Sequence, residues 1–461
     1  MILRRFLKIL KRSLLVLLSL IILLWIAVQL PFVQNWIIRK VTASLSESLH
    51  TRVSIDHIDL SLFNKMELKG LLVEDHQKDT LVFAGQVDVN ITDWFFLKDR
   101  ATLKYVRLRN AMINMRRTDS VWNYQFLTDY FAGPKKDSTA KGGLQLDLKE
   151  LELENMAINI RDKWTGNDKQ IYLGKLHLDG DNVDLGKKRI NISSLALDGA
   201  SYTEYSYQRL GPIPAFVTLP VRDPSVLQWN SEGWDIMVKE LVLNKASFTI
   251  DRETPGREIY TDRFDGDHLE FSGITGSLKN VHFFRDTVST SLTLTAIERS
   301  GIEVKQLQAN LKFTPDIMEF REFLLETNRS RIGNYFAMHY TNFNRDFAAF
   351  VQNVTLEGNF VNSIINSNDL AYFDPTVKAW NRLFDLKGSA KGTVENMVAT
   401  GMEIRMLLPP LPKMPPSRCN GWSSLGMPAR SRSCDGNSLS RPSSSGKSRP
   451  FESRLPFLIN T

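Results

Sequence analysis

Apolar and polar residues alternate along most of this chain from Val53 onward. A period of two is the signature of extended strands with one apolar and one polar face. Leu144, Leu146 and Leu148 alternate with Gln145, Asp147 and Lys149; the phase then slips by one, and Leu151 and Leu153 alternate with Glu150, Glu152 and Glu154. A bulge or tight turn is expected between the two runs. The pattern returns at Ile190/Ile192, Leu195/Leu197, Leu292/Leu294, Ile302/Val304 and Leu307/Ala309/Leu311/Phe313, with Gly180, Gly186, Gly199 and Gly301 expected as breakers between runs. The expected fold class is therefore mainly β.

Three segments share one layout: VRLRNAMINMRR from Val106, LELENMAINIRD from Leu151 and LVLNKASFTIDR from Leu241. Each has an alternating strand, a polar-small kink, and a second alternating strand ending in Arg. A kink of this kind keeps apolar side chains on one face while bending the sheet. The separations, 45 and then 90 residues, are irregular for a simple solenoid. Two stretches read as loops: GPKKDSTAKGG from Gly133, and the run holding Pro212, Pro214, Pro220 and Pro224, because proline at that density does not fit central strands. They divide the β region into segments near 53–132, 144–200 and 236–360, with helix-like character from Ile364 to Arg382.

Ahead of the strands, residues 13–30 form eighteen positions without a charge, thirteen of them Leu, Ile or Val. That length at ~1.5 Å per helical residue covers most of a ~30 Å hydrocarbon core. Leu14, Leu17, Ile21, Leu24 and Trp25 are the anchor residues expected from this run. Arg4, Arg5, Lys8, Lys11 and Arg12 precede it, which orients the N-terminus to the cytoplasm and the rest of the chain to the far side. A cleaved signal peptide needs a shorter apolar region and a small-x-small site, whereas here Ala27 is followed two positions on by Gln29. The reading is an uncleaved, single-pass anchor. From Gln34 to Leu49, Ile37, Val41, Leu45 and Leu49 recur every four residues, an amphipathic helix over residues 31–50.

The net charge of +7 sits at the two ends of the chain. Residues 406–461 hold eight Lys/Arg against Asp435 and Glu452, and the five basic residues before position 13 supply the rest, so residues 13–405 stand near −4. This argues against the phosphate-neutralising surface that nucleic-acid binding depends on. Both cysteines, Cys419 and Cys434, fall in the last segment, so the β region has neither a disulfide nor a thiolate metal site.

No catalytic motif stands out. The seven histidines are scattered and none has HExxH-like spacing. His57 sits in an alternating strand and faces away from the adjacent Asp56; Asp265-Gly266-Asp267-His268 lacks the full calcium-loop series. Ser444-Ser445-Gly446-Lys447 fits SxxK but lies in a low-complexity stretch. The expectation is a protein without catalytic, metal or cofactor residues.

The order of features through residue 110 resembles the N-terminal region of the TamB/AsmA family, in the form found in Bacteroidetes. It rests on the apolar span followed by Pro31-Phe32-Val33-Gln34, the helix ending Leu45-Ser46-Glu47-Ser48-Leu49, the strands Val53-Ser54-Ile55 and Ile58-Asp59-Leu60, then Leu68-Lys69-Gly70-Leu71-Leu72-Val73-Glu74-Asp75 and Asp79-Thr80-Leu81-Val82. His50 stands where the family often has glycine, a departure confined to a turn. The resemblance covers residues 1–130 well, is diffuse to 405 and is absent beyond. It implies an elongated, curved β-groove (a taco) over residues 51–405, an inner-membrane anchor with the bulk in the periplasm, phospholipid transport in support of outer-membrane biogenesis, and an outer-membrane barrel partner of the TamA type. Leu144, Leu146, Leu148, Leu151 and Leu153 are the expected groove lining. Periodicity alone fits a sandwich core equally well, and a scaffold that tethers an envelope partner without moving lipid is the alternative function. Residues 406–461 carry nine of the eighteen prolines and no alternation, which reads as a frameshifted or disordered tail.

Overall fold

The computed structural model describes residues 11–20, 23, 30–60, 65–91, 103–132, 148–184, 186–212 and 226–407. The alternating segments form one sheet of 18 strands. β1 (Val53–Ser54) and β2 (His57–Leu60) both lie against β3 (Lys65–Glu74), and β4 (Thr80–Ile91) and β5 (Leu103–Arg117) follow in antiparallel order. β6 (Glu150–Asp162) runs parallel to β5, and β7 (Asn167–Asp184) turns back against it. β8 (Arg189–Asp198) and β9 (Ser201–Ser206) are two halves of the next position, each antiparallel to β7 and parallel to β10 (Asp235–Arg252). An antiparallel meander completes the sheet: β11 (His268–Phe284), β12 (Thr287–Glu298), β13 (Glu303–Phe313), β14 (Ile317–Glu326), β15 (Arg331–His339), β16 (Thr355–Asn366), β17 (Leu383–Gly392) and β18 (Met397–Leu407).

The sheet passes without a break through the three segments that the proline- and glycine-rich stretches were expected to separate. Gly180, expected as a breaker, lies inside β7 at a register shift. A Cβ there would come within 2.2 Å of the Leu148 carbonyl oxygen, so glycine admits a close backbone approach rather than ending the strand. The helix-like stretch after Ile364 resolves into the end of β16, a one-turn helix (Ser367–Leu370) and a 3-10 turn (Pro375–Trp380).

At the N-terminal edge, α1 (Pro31–Leu49) packs on β1 and β2. The expected contact stripe is corrected here: Gln34, Ile38 and Leu49 are buried, whereas Val41 is 42% exposed. A strict repeat of four drifts around a helix of 3.6 residues per turn, and the stripe that stays on the sheet follows 34, 38, 45 and 49. His50 ends the helix with φ +52, a left-handed cap of the kind glycine adopts most readily.

Residues 11–20 are helical and solvent-facing, Leu14 at 63% and Leu17 at 55% exposure. Among the described residues no helix is long and apolar enough to cross a membrane. The span expected over 13–30 is thus without support from the described residues; Ile21, Leu24 and Trp25 lie outside them, as do residues 408–461.

A line of backbone kinks crosses the strands. Gly70, Asn110, Asn155, Gly199 and Lys245 have φ of +64, +51, +53, +61 and +51. The registers set Gly70 opposite Gly85, Gly85 opposite Asn110, Asn110 beside Asn155, and Asn155 opposite Gly174, next to Gly199 and Lys245 on the following strands. Asn155 donates from Nδ2 to Asn110 Oδ1 at 2.7 Å, tying two of the kinks together. Each kink shifts the alternation by one residue, so Leu153 and Met156 lie on the same face although three positions apart. The kinks of the three repeated segments are Asn110, Asn155 and Lys245, and the 45-residue offset is the spatial register that sets Val106 beside Leu151.

Candidate functional site

Directly opposed residues on neighbouring strands share a face, so the strand registers give the composition of each face row by row. One row runs Ile58, Leu68, Val87, Leu108, Leu153, Leu176, Leu197, Leu243, Gly276, Leu294, Leu307, Leu325, Ile332, each opposite the next. A second runs Leu60, Met66, Val89, Val106, Leu151, Leu178, Leu195, Leu241, Leu278, Leu292, Ala309. Beyond the line of kinks a third runs Val53, Val73, Val82, Ile113, Ile158, Ile171, Tyr202, Phe248, Phe271. Not one charged residue interrupts any of the three. At ~4.8 Å between strands, the twelve steps of the first row extend about 58 Å along the sheet.

The densest packing lies along the kinks. Ala84, Val87, Val89, Ala111, Leu153 and Met156 are buried there, with Met66, Leu68, Leu71, Leu108, Leu151 and Leu176 among the side chains packed on them. Small residues at the kinks let the larger ones on either side close over them. Elsewhere Val53, Ile58, Leu292 and Ala309 are buried, while Leu176, Leu197, Leu243, Leu294, Leu307 and Leu325 are half-buried, neither sealed nor fully exposed. No described phenylalanine or tryptophan side chain is buried, and the largest fully buried side chains are Leu81, Glu298, Val354, Asp75, Ser363 and Ser367, most of them polar. A closed sandwich core of this size would bury its largest apolar groups. Here a long apolar face lacks a covering layer among the described residues.

The opposite face is charged. Asp88, Arg107, Glu152 and His177 form a row of opposed residues. Arg107 Nε donates to Glu152, Tyr105 Oη donates to the same carboxylate at 3.0 Å, and Arg109 pairs with Glu154 at 3.3 Å. The Arg107 hydrogen bond holds the Glu152 carboxyl below its ordinary range, while burial and the bond to Glu152 push the Tyr105 hydroxyl up to about 12. Rows of opposite sign stabilise the solvated face and keep it from collapsing onto another sheet.

Of the five leucines expected to line a groove, Leu151 and Leu153 fall in the second and first rows. Leu148 is half-buried and precedes β6 rather than belonging to a strand, so the expected strand does not reach it; Leu144 and Leu146 lie outside the described residues. Leu176, Leu178, Leu195, Leu197, Leu241 and Leu243 carry the face as much as Leu151 and Leu153. The signal was present, since each is half of an i, i+2 leucine pair, but only the registers show that they join end to end.

The aspartate-rich turn before His268 takes a structural role. His268 is buried, its Nδ1 in contact with Asp251 and its Nε2 3.2 Å from Thr254 Oγ1. Asp265 and Asp267 are paired with Arg257, and Asp267 also with Arg252, so that loop is neutralised from within. Glu150, Glu152 and His177 bring ligand atoms within 4.8 Å of one another across β6 and β7, a grouping invisible in sequence. Arg107 and Tyr105 both donate to Glu152 Oε2, and His177 Nδ1 lies 3.8 Å from the other oxygen, Oε1.

Comparison of the chain with models of known protein families and with curated proteins gives no match.

Proposed function

We propose that the creased sheet is an open trough for the acyl chains of phospholipid, held at the inner membrane by residues 13–30 and extending into the periplasm, where it supports outer-membrane biogenesis. The observation that carries this reading is the set of three uninterrupted apolar rows on a half-buried face. Each methylene moved from water into an apolar setting gains ~0.8 kcal/mol, so a chain of about sixteen carbons left in water stands on the order of 12 kcal/mol above one lying in the trough. Rows that run across the strands offer the same environment at every step, so a lipid meets no large barrier in moving from one strand to the next. Such a conduit needs shape and polarity, and no reacting group. The resemblance of residues 1–130 to the TamB/AsmA family supports the same reading and adds a barrel partner of the TamA type at the outer membrane.

The test is a pair of photo-crosslinking amino acids placed at Leu108, half-buried in the first row, and at Arg109 in the full chain in membranes. Phospholipid adducts are expected at Leu108, with few at Arg109, whose side chain lies on the charged face beside Glu154. Equal labelling, or none at either position, counts against lipid in the trough and favours a scaffold that only tethers its partners.

A further inference from the structure

The two edges of the sheet are built differently. At the first, β1 and β2 are short and α1 packs over them, with Leu49, Val53 and Ile58 buried at the join. At the other, β18 is eleven residues long and pairs with β17 alone among the described residues. Every residue of β18 except Met402 is exposed, Ile404 and Met406 at 58% and 57%. A long open edge with apolar side chains is a template for another strand, and natural edges of this kind are blunted unless something pairs with them.

The charges on β18 specify what fits. Its polar face carries Glu403 and Arg405, opposite Lys387 and Asp385 of β17. Arg405 Nη2 bonds Glu403 Oε2 at 3.1 Å, and both side chains are exposed. Antiparallel pairing of β18 with itself about Ile404 sets Glu403 of one copy opposite Arg405 of the other, twice by symmetry. Across four strands the polar face then reads Lys387, Glu403, Arg405, Asp385, with opposite charges at every step. On the other face Ile404 meets Ile404 and Met402 meets Met406, continuing Leu386 and Phe384 of β17. The chain's own continuation is a poor occupant: Pro409, Pro410, Pro412, Pro415 and Pro416 follow directly, and proline brings no N–H to a ladder.

We infer that β18 is a self-pairing edge, and that two copies of this chain join there into one continuous sheet. The inference uses only the edge and its charges, so it stands or fails apart from the lipid reading. A two-fold axis perpendicular to the sheet keeps the same face of both copies on one side.

The experiment uses the full chain in detergent with Cys419 and Cys434 replaced by serine. Ile404→Cys is expected to form a disulfide-linked dimer on mild oxidation, because residue 404 opposes itself at ~5 Å. Sedimentation is expected to show a dimer whose dissociation constant rises about tenfold or more in Arg405→Glu, where two like-charge pairs replace two attractive ones. The double exchange Glu403→Arg with Arg405→Glu restores the opposite-sign pattern across the new interface and is expected to recover most of the affinity. These side chains are exposed, so the fold is not at stake. A chain that stays monomeric at all concentrations, a dimer indifferent to Arg405→Glu, or association only with a different protein overturns the proposal.

Discussion

The double substitution Leu195→Arg and Leu197→Arg is expected to cut phospholipid adducts at Leu294 about a hundredfold, while adducts at Leu108 persist. Both leucines belong to β8, one in each of the two long apolar rows, between Leu108 and Leu294. An arginine in an acyl environment costs roughly 2.5–3.5 kcal/mol, which is two orders of magnitude in occupancy. Both positions are half-buried, so the arginine stems can lie along the sheet and send their charges to water without unfolding it. Ala196→Arg, one residue away and exposed opposite His177 on the charged face, is expected to leave both adducts unchanged. Adducts measured by mass spectrometry at the two reporter positions separate a conduit from local lipid binding: loss at both, or at neither, argues against passage along the rows.

The second large effect concerns the one glycine in the leucine row. Gly276→Val is expected to destabilise the sheet by about 3 kcal/mol or more, read as a fall in the thermal midpoint. A Cβ on Gly276 would lie 2.0 Å from the Thr293 carbonyl oxygen and 2.9 Å from Leu294 Cα, and the residue has φ +154, a conformation open to few other side chains. The obstacle is the backbone of β12, which cannot rotate aside as a side chain could. Gly273→Val makes a useful contrast: its φ is +61, yet nothing lies within 4 Å of the position a Cβ would take. Only the left-handed backbone term of about 1–2 kcal/mol is then expected. Equal losses at the two positions would mean that close approach between β11 and β12 has no part in the ladder.

Much of this architecture is legible in the residues. Alternation marks the strands because a sheet with one wet face repeats every two residues, and the kinked segments at Val106, Leu151 and Leu241 were visible as a polar or small residue between two alternating runs. Asn110 and Asn155 could be read this way because asparagine tolerates the left-handed region. Glu322, with φ of +51, gives no comparable signal; there the ladders with β13 and β15 impose the bulge. The parallel steps from β5 to β6 and from β8 and β9 to β10 depend on long connections, and periodicity is blind to the direction of a strand. The buried stripe of α1 departs from the expected one because a four-residue spacing drifts around a helix of 3.6 residues per turn. Leu151 and Leu153 lie on one apolar face, but the continuity of that face lies across strands, and a single sequence does not contain its registers. Cross-strand groupings such as Glu150, Glu152 and His177 were hidden for the same reason.

The most direct measurement of whether the apolar face is open to lipid is electron spin echo modulation from acyl-deuterated phospholipid, with a single nitroxide label placed at Leu197 or at Ala196 in the cysteine-free chain. Strong deuterium modulation at 197 and little at 196 is the outcome expected of a one-sided trough filled by acyl chains. Absent modulation at 197, or equal modulation at the two positions, contradicts it.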